Sequence, residues 1–292
     1  MTTEKIPLAV IGGSGFYEMP GLTDIEEVEV ATPFGAPSDR IRIGTLEGTR
    51  VAFLARHGRQ HTILPSELPQ RANFWALKSL SVERVISVSA VGSLRESMVP
   101  GHLVVPSQLI DRTWGRPSTF FGDGLVAHIS FAEPFCGRMR AAALEAARAA
   151  GATVHDGGVY VVMQGPAFST RAESELHRAW GADLIGMTAL PEAKLAREAE
   201  LCYATLACVT DYDCWHEAEE AVDAATVFAT LQRNVAVSQE AVRLLVQRLP
   251  ERQGCPCATA LDAAIVGRRE AVPADVRERL APILARWLGG GA

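Results

Sequence analysis

Short and almost continuously apolar runs alternate along this chain with segments in which apolar residues recur at helical spacing. The apolar runs predict strands that are buried on both faces of a sheet. Such runs lie at residues 8–11, 50–55, 84–90, 103–105, 158–162 and 203–209. The segments between them predict helices at residues 70–80, 138–150, 171–180, 191–200 and 223–249.

Glycine and proline residues mark the ends of several predicted helices. Gly151 and Gly181 follow two predicted helices, and Pro191 stands at the start of a third, which are the positions that helix ends and first turns favour. Strands that alternate with helices predict an α/β fold around a largely parallel or mixed sheet. We expect one core domain over residues 1–250 with helices on both faces of the sheet.

The chain changes character after this core. A break rich in Pro and Gly at residues 250–259 contains the pair Cys255 and Cys257. After it, one helix is predicted to pack its apolar face on the core, and the alternative is a helix that covers the active site or a neighbouring subunit. That face carries Val276, Leu280, Ile283, Leu284 and Trp287, so residues 251–292 are interpreted as a Cys-x-Cys loop and a C-terminal helix.

Composition narrows the function classes. A chain of 292 residues suits one large α/β domain or two small ones. Its net charge of -6 includes no run rich in Lys or Arg, which argues against a nucleic-acid partner. No apolar run reaches about 18 residues, so no membrane span is predicted. The first residues lack a signal-peptide pattern, and we expect a cytoplasmic protein.

The six cysteines are expected to be reduced thiols in that compartment. Zinc sites usually show two Cys-x2-Cys pairs, or Cys combined with His, at short spacing. Neither spacing is present, so the pattern argues against a structural metal. The cysteines are Cys136, Cys202, Cys208, Cys214, Cys255 and Cys257.

Three segments at strand ends are candidates for anion binding. The glycine loop at residues 12–15, with Ser14, fits a small phosphate loop or a structural turn. It does not fit a dinucleotide fingerprint, because Glu18 stands where the third glycine belongs.

The second segment follows a predicted strand, where Arg56 suits bidentate phosphate recognition and His57 can add a donor. His57 and His61 also have the spacing of a metal pair, but no Glu follows the first His, and a solvated basic loop stays open as an alternative. The third segment, residues 87–94, offers Ser89 as a donor or as part of a turn.

Five motifs together resemble the 5'-methylthioadenosine phosphorylase family within the trimeric purine nucleoside phosphorylase superfamily. They are GGSG at 12–15, TPFG at 32–35, ARHGRQH at 55–61, GPAFS at 165–169 and TDYDCW at 210–215. The resemblance implies a central mixed β-sheet flanked by helices, a homotrimer, no metal and no cofactor, with inorganic phosphate as co-substrate. It also implies cleavage of 5'-deoxy-5'-methylthioadenosine to adenine and 5-methylthioribose 1-phosphate, a reaction of purine and methionine salvage.

The resemblance also assigns site residues. Phosphate would be bound by Ser14, Arg56, His57, Ser89 and Thr188. The nucleoside would contact Ala90, Met187 under the ribose, Phe168 on the purine, Ser169 and His61. The 5' pocket would be formed by Ala224, Val227 and Phe228, with His128 reaching in from a neighbouring subunit.

The base preference depends on Asp211, Asp213 and Ser169. A protonated Asp211 can donate to purine N7 as general acid, while Asp213 accepts from the 6-amino group. Burial and the second carboxylate would keep that proton available, and the two groups titrate as a pair. In relatives that cleave 6-oxopurine nucleosides, Asn matches Asp211 and Glu matches Ser169. An Asp-x-Asp sequence can also be a helix cap, and another 5' preference or 6-oxopurine activity stays open.

Overall fold

The computed structural model describes residues 5–16, 18–216 and 224–289. The strands are β1 Ile6–Gly12, β2 Thr23–Val28, β3 Ile41–Leu46, β4 Thr49–Ala55, β5 Val82–Ser93, β6 Leu103–Val105, β7 Gln108–Arg112, β8 Val126–Ala127, β9 Val154–Asp156, β10 Val159–Met163, β11 Leu184–Gly186, β12 Cys202–Asp211 and β13 Ile265–Val266. The α-helices are α1 Gln70–Ser79, α2 Gly137–Ala149, α3 Arg171–Ala179, α4 Ala189–Glu198, α5 Ala224–Val246, α6 Ala274–Arg279 and α7 Ala281–Leu288.

Eleven of the described strands form one mixed sheet in which β5 is the central element. Strands β1, β4, β5 and β12 run parallel to one another. Strand β5 extends beyond β1 and also pairs antiparallel with β11, which leads on to β10 and β7. The carboxyl ends of the four parallel strands therefore meet at one edge, where open α/β sheets bind ligands.

Helices cover both faces of this sheet and create two cores. Strand β12, buried at every position, shows the arrangement best, because its residues alternate between them. Tyr203 and Val209 pack with apolar residues of α1 and α4 on one face. Cys202 and Leu206 pack with α2 and α5 on the other. The predicted α/β fold, a single domain with a central mixed sheet flanked by helices, is thereby confirmed.

The segment after residue 250 differs from its prediction in one respect. Its five predicted core residues are buried in the same core as α1 and α4, but they belong to two helices, α6 and α7, that meet at Leu280. Pro282 lies in the first turn of α7, and proline has no N–H with which to continue the hydrogen bonds of α6. Trp75 of α1 donates its indole N–H to the Arg279 carbonyl at 2.9 Å, which ties the segment to the core. The division of the chain near residue 250 stays a prediction.

The search for membrane spans gave a negative result: within the described ranges, no helix has both the length and the apolar character that crossing a bilayer requires.

Candidate active site

A cavity of about 350 Å³ opens at the edge where the parallel strands end. Each of the four strands contributes to its wall or leads into it. Residues from or just after β1, β4, β5 and β12 include Gly13, Arg56, Ser89, Ala90 and Asp211. The sheet topology therefore gathers segments that are far apart in sequence around one space.

Arg56 lies at the base of this cavity and is 2% exposed. Its Nε donates to Glu192 at 2.6 Å, and its Nη2 donates to the Ser87 hydroxyl at 2.6 Å. Its Nη1 and Nη2 also donate to the carbonyls of Val88 and Ile11. These four contacts use most of the five N–H groups of a guanidinium. The guanidinium is thus held by the protein with one Nη1 hydrogen to spare, and its expected bidentate contact with phosphate stays a prediction.

Glu192 is the counter-ion that compensates this charge, and no sequence motif predicted it. Its side chain is fully buried and also accepts from Gln70, Ser87 and Tyr203. Burial alone would lower the pKa of Arg56, but the Glu192 carboxylate outweighs that effect and the pKa is raised. A buried ion pair needs such extra hydrogen bonds to offset the loss of hydration.

Hydroxyl groups lie near Arg56 with hydrogen-bonding capacity to spare. The buried Ser89 Oγ and Tyr160 Oη have no hydrogen-bond partner among the described residues. Ser89 and Thr188 both line the cavity. Burial raises the pKa of Tyr160 to about 12, so its hydroxyl keeps its proton. A buried hydroxyl without a partner is costly, and a bound anion would supply the missing acceptor.

His57 and His61 both line the cavity and stack with ring centroids 4.4 Å apart. Burial lowers the pKa of His57 to about 4, with a further lowering by the Arg56 charge. The Nδ1 of His57 lies 2.8 Å from the Ile63 carbonyl and donates to it. In a neutral ring the Nε2 is then an acceptor. His57 would accept from a protonated phosphate oxygen, whereas the sequence suggested a donor.

The glycine loop needs glycine for close packing rather than for an unusual backbone. Gly13 and Gly15 line the cavity, and neither has a positive φ. A Cβ on Gly15 would come within 2.7 Å of Val235 on α5. The amide of Arg56 donates to the Gly12 carbonyl at 3.0 Å, which sets the loop against the end of β4.

The two aspartates stand at the end of β12 and are both buried. Asp211 accepts from the Thr210 hydroxyl at 2.7 Å and from the Asp213 amide at 2.8 Å. Asp213 has a left-handed φ of 52°, and its buried Oδ2 has no partner in the described part of the chain. Burial raises the pKa of Asp213, while the nearby Ser174 and Ser169 hydroxyls oppose the shift. The raised pKa makes Asp213 a second candidate for the proton carrier of the pair, and the assignment of the proton to Asp211 stays a prediction.

A bulge in β12 aims Asp211 at the cavity. Val209 pairs with Val91 and Asp211 with Gly92, so Thr210 is an extra residue in the ladder. Bulges of this kind redirect a side chain beside functional sites. A Cβ on Gly92 would lie 2.8 Å from Asp211 Oδ1, so only glycine lets the carboxylate lie there.

Other predicted nucleoside contacts fall around the opposite wall. Phe168 lines the cavity with 42% of its surface exposed, and Met187 and Ala90 line it as well. Ser169 does not line the cavity. Its hydroxyl lies 3.8 Å from the Met163 sulfur and acts on the nearby Asp213.

Arg116 fixes this wall, and the sequence reasoning did not identify it. It donates to the carbonyls of Met187 and Leu190 at 2.7 and 2.8 Å, and to that of Gln164 at 2.5 Å. One side chain thus joins the loop before α3 to the loop before α4. A lone Arg between Gly and Pro in the sequence carries no signal for this role.

The structure describes only some of the residues expected to form the 5' pocket. Val227 of α5 lines the cavity. His128 does not line the cavity of this single chain; its backbone amide donates to the Ala264 carbonyl beside the two-stranded β8–β13 sheet. The side chains of Ser14, Ala224 and Phe228 lie outside the described residues.

Comparison with known proteins gives one consistent family. The model of the phosphorylase superfamily matches residues 7–247. The S-methyl-5'-thioadenosine phosphorylase of Chloroflexus aurantiacus is 58% identical over 96% of this chain and 98% of its own. The structure of a methylthioadenosine phosphorylase from an Antarctic soil metagenomic library has a TM-score of 0.92 at 48% identity, covering 96% of this chain and 99% of that one. A Schistosoma mansoni methylthioadenosine phosphorylase in complex with adenine has a TM-score of 0.81 at 36% identity, covering 96% and 98%.

Proposed function

The chain belongs to the phosphorylase superfamily, and from this we propose that it cleaves 5'-deoxy-5'-methylthioadenosine with inorganic phosphate. The products are adenine and 5-methylthioribose 1-phosphate. The observation that carries the proposal is one cavity with a fixed cation at one end and a buried carboxylate pair at the other. The names of the relatives support the same reaction.

Phosphate binds at the Arg56 end. The guanidinium supplies charge and one N–H, the Ser89 and Thr188 hydroxyls donate, and the His57 Nε2 accepts a hydrogen bond from a protonated phosphate oxygen. The Ser14 hydroxyl adds a donor from the glycine loop. Because these groups hold the nucleophile in place, an oxygen of phosphate can capture C1' as the bond to N9 lengthens.

The carboxylate pair acts on the leaving base. As the bond from C1' to N9 breaks, negative charge gathers on the purine and is neutralised by a proton at N7. Asp213, whose pKa burial raises, is the member of the pair proposed to carry that proton. Asp211 accepts hydrogen bonds from the Thr210 hydroxyl and the Asp213 amide, as an acceptor carboxylate would. The pair shares one proton, and the member that stays ionised accepts from the 6-amino group.

Recognition of adenine follows from the same acceptors. A 6-oxopurine would bring a carbonyl oxygen against a buried carboxylate, which costs several kcal/mol when polar groups are left unpaired. Ser169, next to Asp213, leaves no acid to read N1 of a 6-oxopurine. Phe168 packs on the purine, and Met187 lies under the ribose with Ala90 and His61 nearby.

The 5' substituent is the less constrained part of the substrate. Val227 lines the cavity as an apolar residue that suits a methylthio group, with Ala224, Phe228 and the neighbouring subunit's counterpart of His128 completing the pocket. A homotrimer is proposed because His128 lies outside the cavity of its own chain, where only a neighbour could use it. Exposed apolar residues near it, Val126 at 51% and Val266 at 65%, agree with a subunit contact. The enzyme works in the cytoplasm in salvage of purine and methionine and needs no cofactor.

Steady-state kinetics with four nucleosides at saturating phosphate test the proposal. Methylthioadenosine should have the highest kcat/KM, followed by adenosine, with methylthioinosine and inosine far lower. Adenine should appear only when phosphate is present. Preference for inosine would contradict the reasoning from the aspartates. Preference for adenosine would overturn only the assignment of the methylthio group at the 5' position.

A further inference from the structure

Four cysteines from three distant segments meet in the core on the face of the sheet covered by α2 and α5. Cys136 precedes α2, Cys202 is the first residue of β12, and Cys255 and Cys257 come from the loop after α5. All four Sγ atoms lie within 4.8 Å of one another. They occupy the end of β12 away from the catalytic cavity. The proposed reaction makes no use of them.

The spacing of this four-cysteine cluster fits a single tetrahedral metal ion. The Cys255 Sγ lies 3.6 Å from that of Cys136 and 3.5 Å from that of Cys202. In a tetrahedral zinc site with Zn–S bonds of about 2.3 Å, neighbouring sulfurs are about 3.8 Å apart. All four cysteines are free, and each is at most 4% exposed. Four thiols of this compactness have room for one ion at their centre but not for a larger cluster.

The surroundings hold the ligands in place. Cys136 is the N-cap of α2, where the positive end of the helix dipole stabilises a thiolate. Arg138, in the first turn of the same helix, donates to the carbonyls of Glu251, Gln253 and Gly254 at 2.7 to 3.0 Å. These bonds fix the loop that leads directly into Cys255. The cluster is therefore preformed by contacts that do not involve the sulfurs.

We propose that Cys136, Cys202, Cys255 and Cys257 bind one structural zinc ion per chain. Tetrahedral all-sulfur sites select zinc among common divalent ions, and a site with four protein ligands has no open position for substrate. The spacing of the Cys-x-Cys pair does not by itself predict a zinc site. Strand β12 and the N-cap of α2 supply the two further ligands that a four-cysteine site needs. The ion joins the C-terminal segment to the sheet.

Metal analysis of the full-length protein, purified under reducing conditions without chelator, tests this site directly. We expect one zinc ion per chain by mass spectrometry of the metal. Titration with an organic mercurial should release the ion as the four Zn–S bonds are replaced by four Hg–S bonds. Reconstitution with cobalt should give the charge-transfer absorption of a tetrahedral tetrathiolate.

A matched pair of variants locates the ion. Cys257→Ser should lose zinc and the cobalt signal. Cys208→Ser, which changes a buried thiol of β12 outside the four-cysteine cluster, should keep both. The wild-type metal content decides the matter even if Cys257→Ser does not fold. A protein that holds no zinc and takes up no cobalt after reduction would overturn the proposal. So would iron in place of zinc, or an intact mass that shows two disulfides in the freshly reduced and repurified protein.

Discussion

The two ends of the cavity differ in how their polar groups are satisfied. At the anion end, Arg56 and Glu192 are bound to each other and to five further partners, two of which are Ser87 and Tyr203. At the base end, the Oδ2 of Asp213 is buried with no partner among the residues described. The charged pair of the anion end is satisfied by the protein itself, whereas a carboxylate oxygen of the base end has no partner in the described chain.

This difference follows from what each end must do. A full positive charge in the core needs a permanent partner, because an unpaired buried charge destabilises the fold by about 3 to 5 kcal/mol. A group that distinguishes one base from another must keep a hydrogen-bonding position available for that base, at some cost to stability. The protein therefore fixes the charge of the anion end by internal pairing and leaves the selectivity of the base end to unsatisfied atoms.

The largest expected effect comes from breaking the internal pairing of the anion end. Glu192→Gln leaves the Arg56 charge buried without its counter-ion and should lower the free energy of unfolding by about 3 to 5 kcal/mol. Phosphate supplies the missing negative charge, so it should raise the Tm of this variant more than that of the wild type. Ser87→Ala is the control, because it removes hydroxyl contacts and leaves both charges in place. It should lower the free energy of unfolding by about 1 kcal/mol. An equal phosphate effect on all three proteins would contradict this account.

At the base end the expected loss is catalytic. Asp213→Asn cannot carry the proton and should lower kcat for the adenine nucleoside by about 100-fold or more. The KM for phosphate should stay close to that of the wild type, because the anion end is unchanged. Asp211→Asn is the matched variant. If Asp211→Asn loses far more activity than Asp213→Asn, the proton belongs to Asp211, as the sequence suggested.

A smaller change moves the base end without altering its chemistry. Gly92→Ala places a Cβ 2.8 Å from the present position of Asp211 Oδ1 and must push the carboxylate away. Since small displacements of a catalytic group cost large factors in rate, we expect kcat/KM for the nucleoside to fall about tenfold. Phosphate affinity, measured by inhibition with a phosphate analogue, should not change. A fall in both would mean that the two ends are coupled through β5.

The smallest effect concerns acid stability at the anion end. The pKa of His57 is about 4 in the folded protein against 6.5 for a free imidazole. As pH falls below about 6.5, the unfolded chain binds a proton that folded His57 does not, so stability is lost down to about pH 4. At about pH 5.5 this amounts to roughly 1 kcal/mol. Comparing denaturation of wild type and His57→Gln at pH values of about 7 and 5.5 isolates the contribution. A constant difference between the two proteins would refute it.

Much of the fold could be predicted from the sequence because its central strands are apolar on both faces. The predicted strands at 50–55, 84–90 and 203–209 fall within β4, β5 and β12. Strand β2 was missed because almost all of its residues are exposed and it carries no buried pattern. Of the three-residue strands, β6 was predicted as an apolar run. Strands β9 and β11 were missed, because three residues are too few to show a periodicity. The split between α6 and α7 was missed because the apolar spacing continues across Leu280.

The site was predicted to the extent that its residues occur in motifs. The structure brings Arg56, Ser89 and Asp211 to one cavity, as the motifs suggested. Glu192 and Arg116 were not identified, because their roles depend on contacts with segments far away in sequence. The four-cysteine cluster was missed for the same reason, since spacing along the chain says nothing about which thiols a sheet brings together.

The burial of β12 has a consequence for how the enzyme fails. All ten of its residues are buried, and β5 pairs with it along almost its whole length. Amides in such a strand exchange with solvent only when the whole domain opens. Asp211 ends this strand, so this carboxylate of the candidate site belongs to the slowest-exchanging unit of the protein. Loss of activity on heating should therefore coincide with global unfolding, with no earlier melting of the base site.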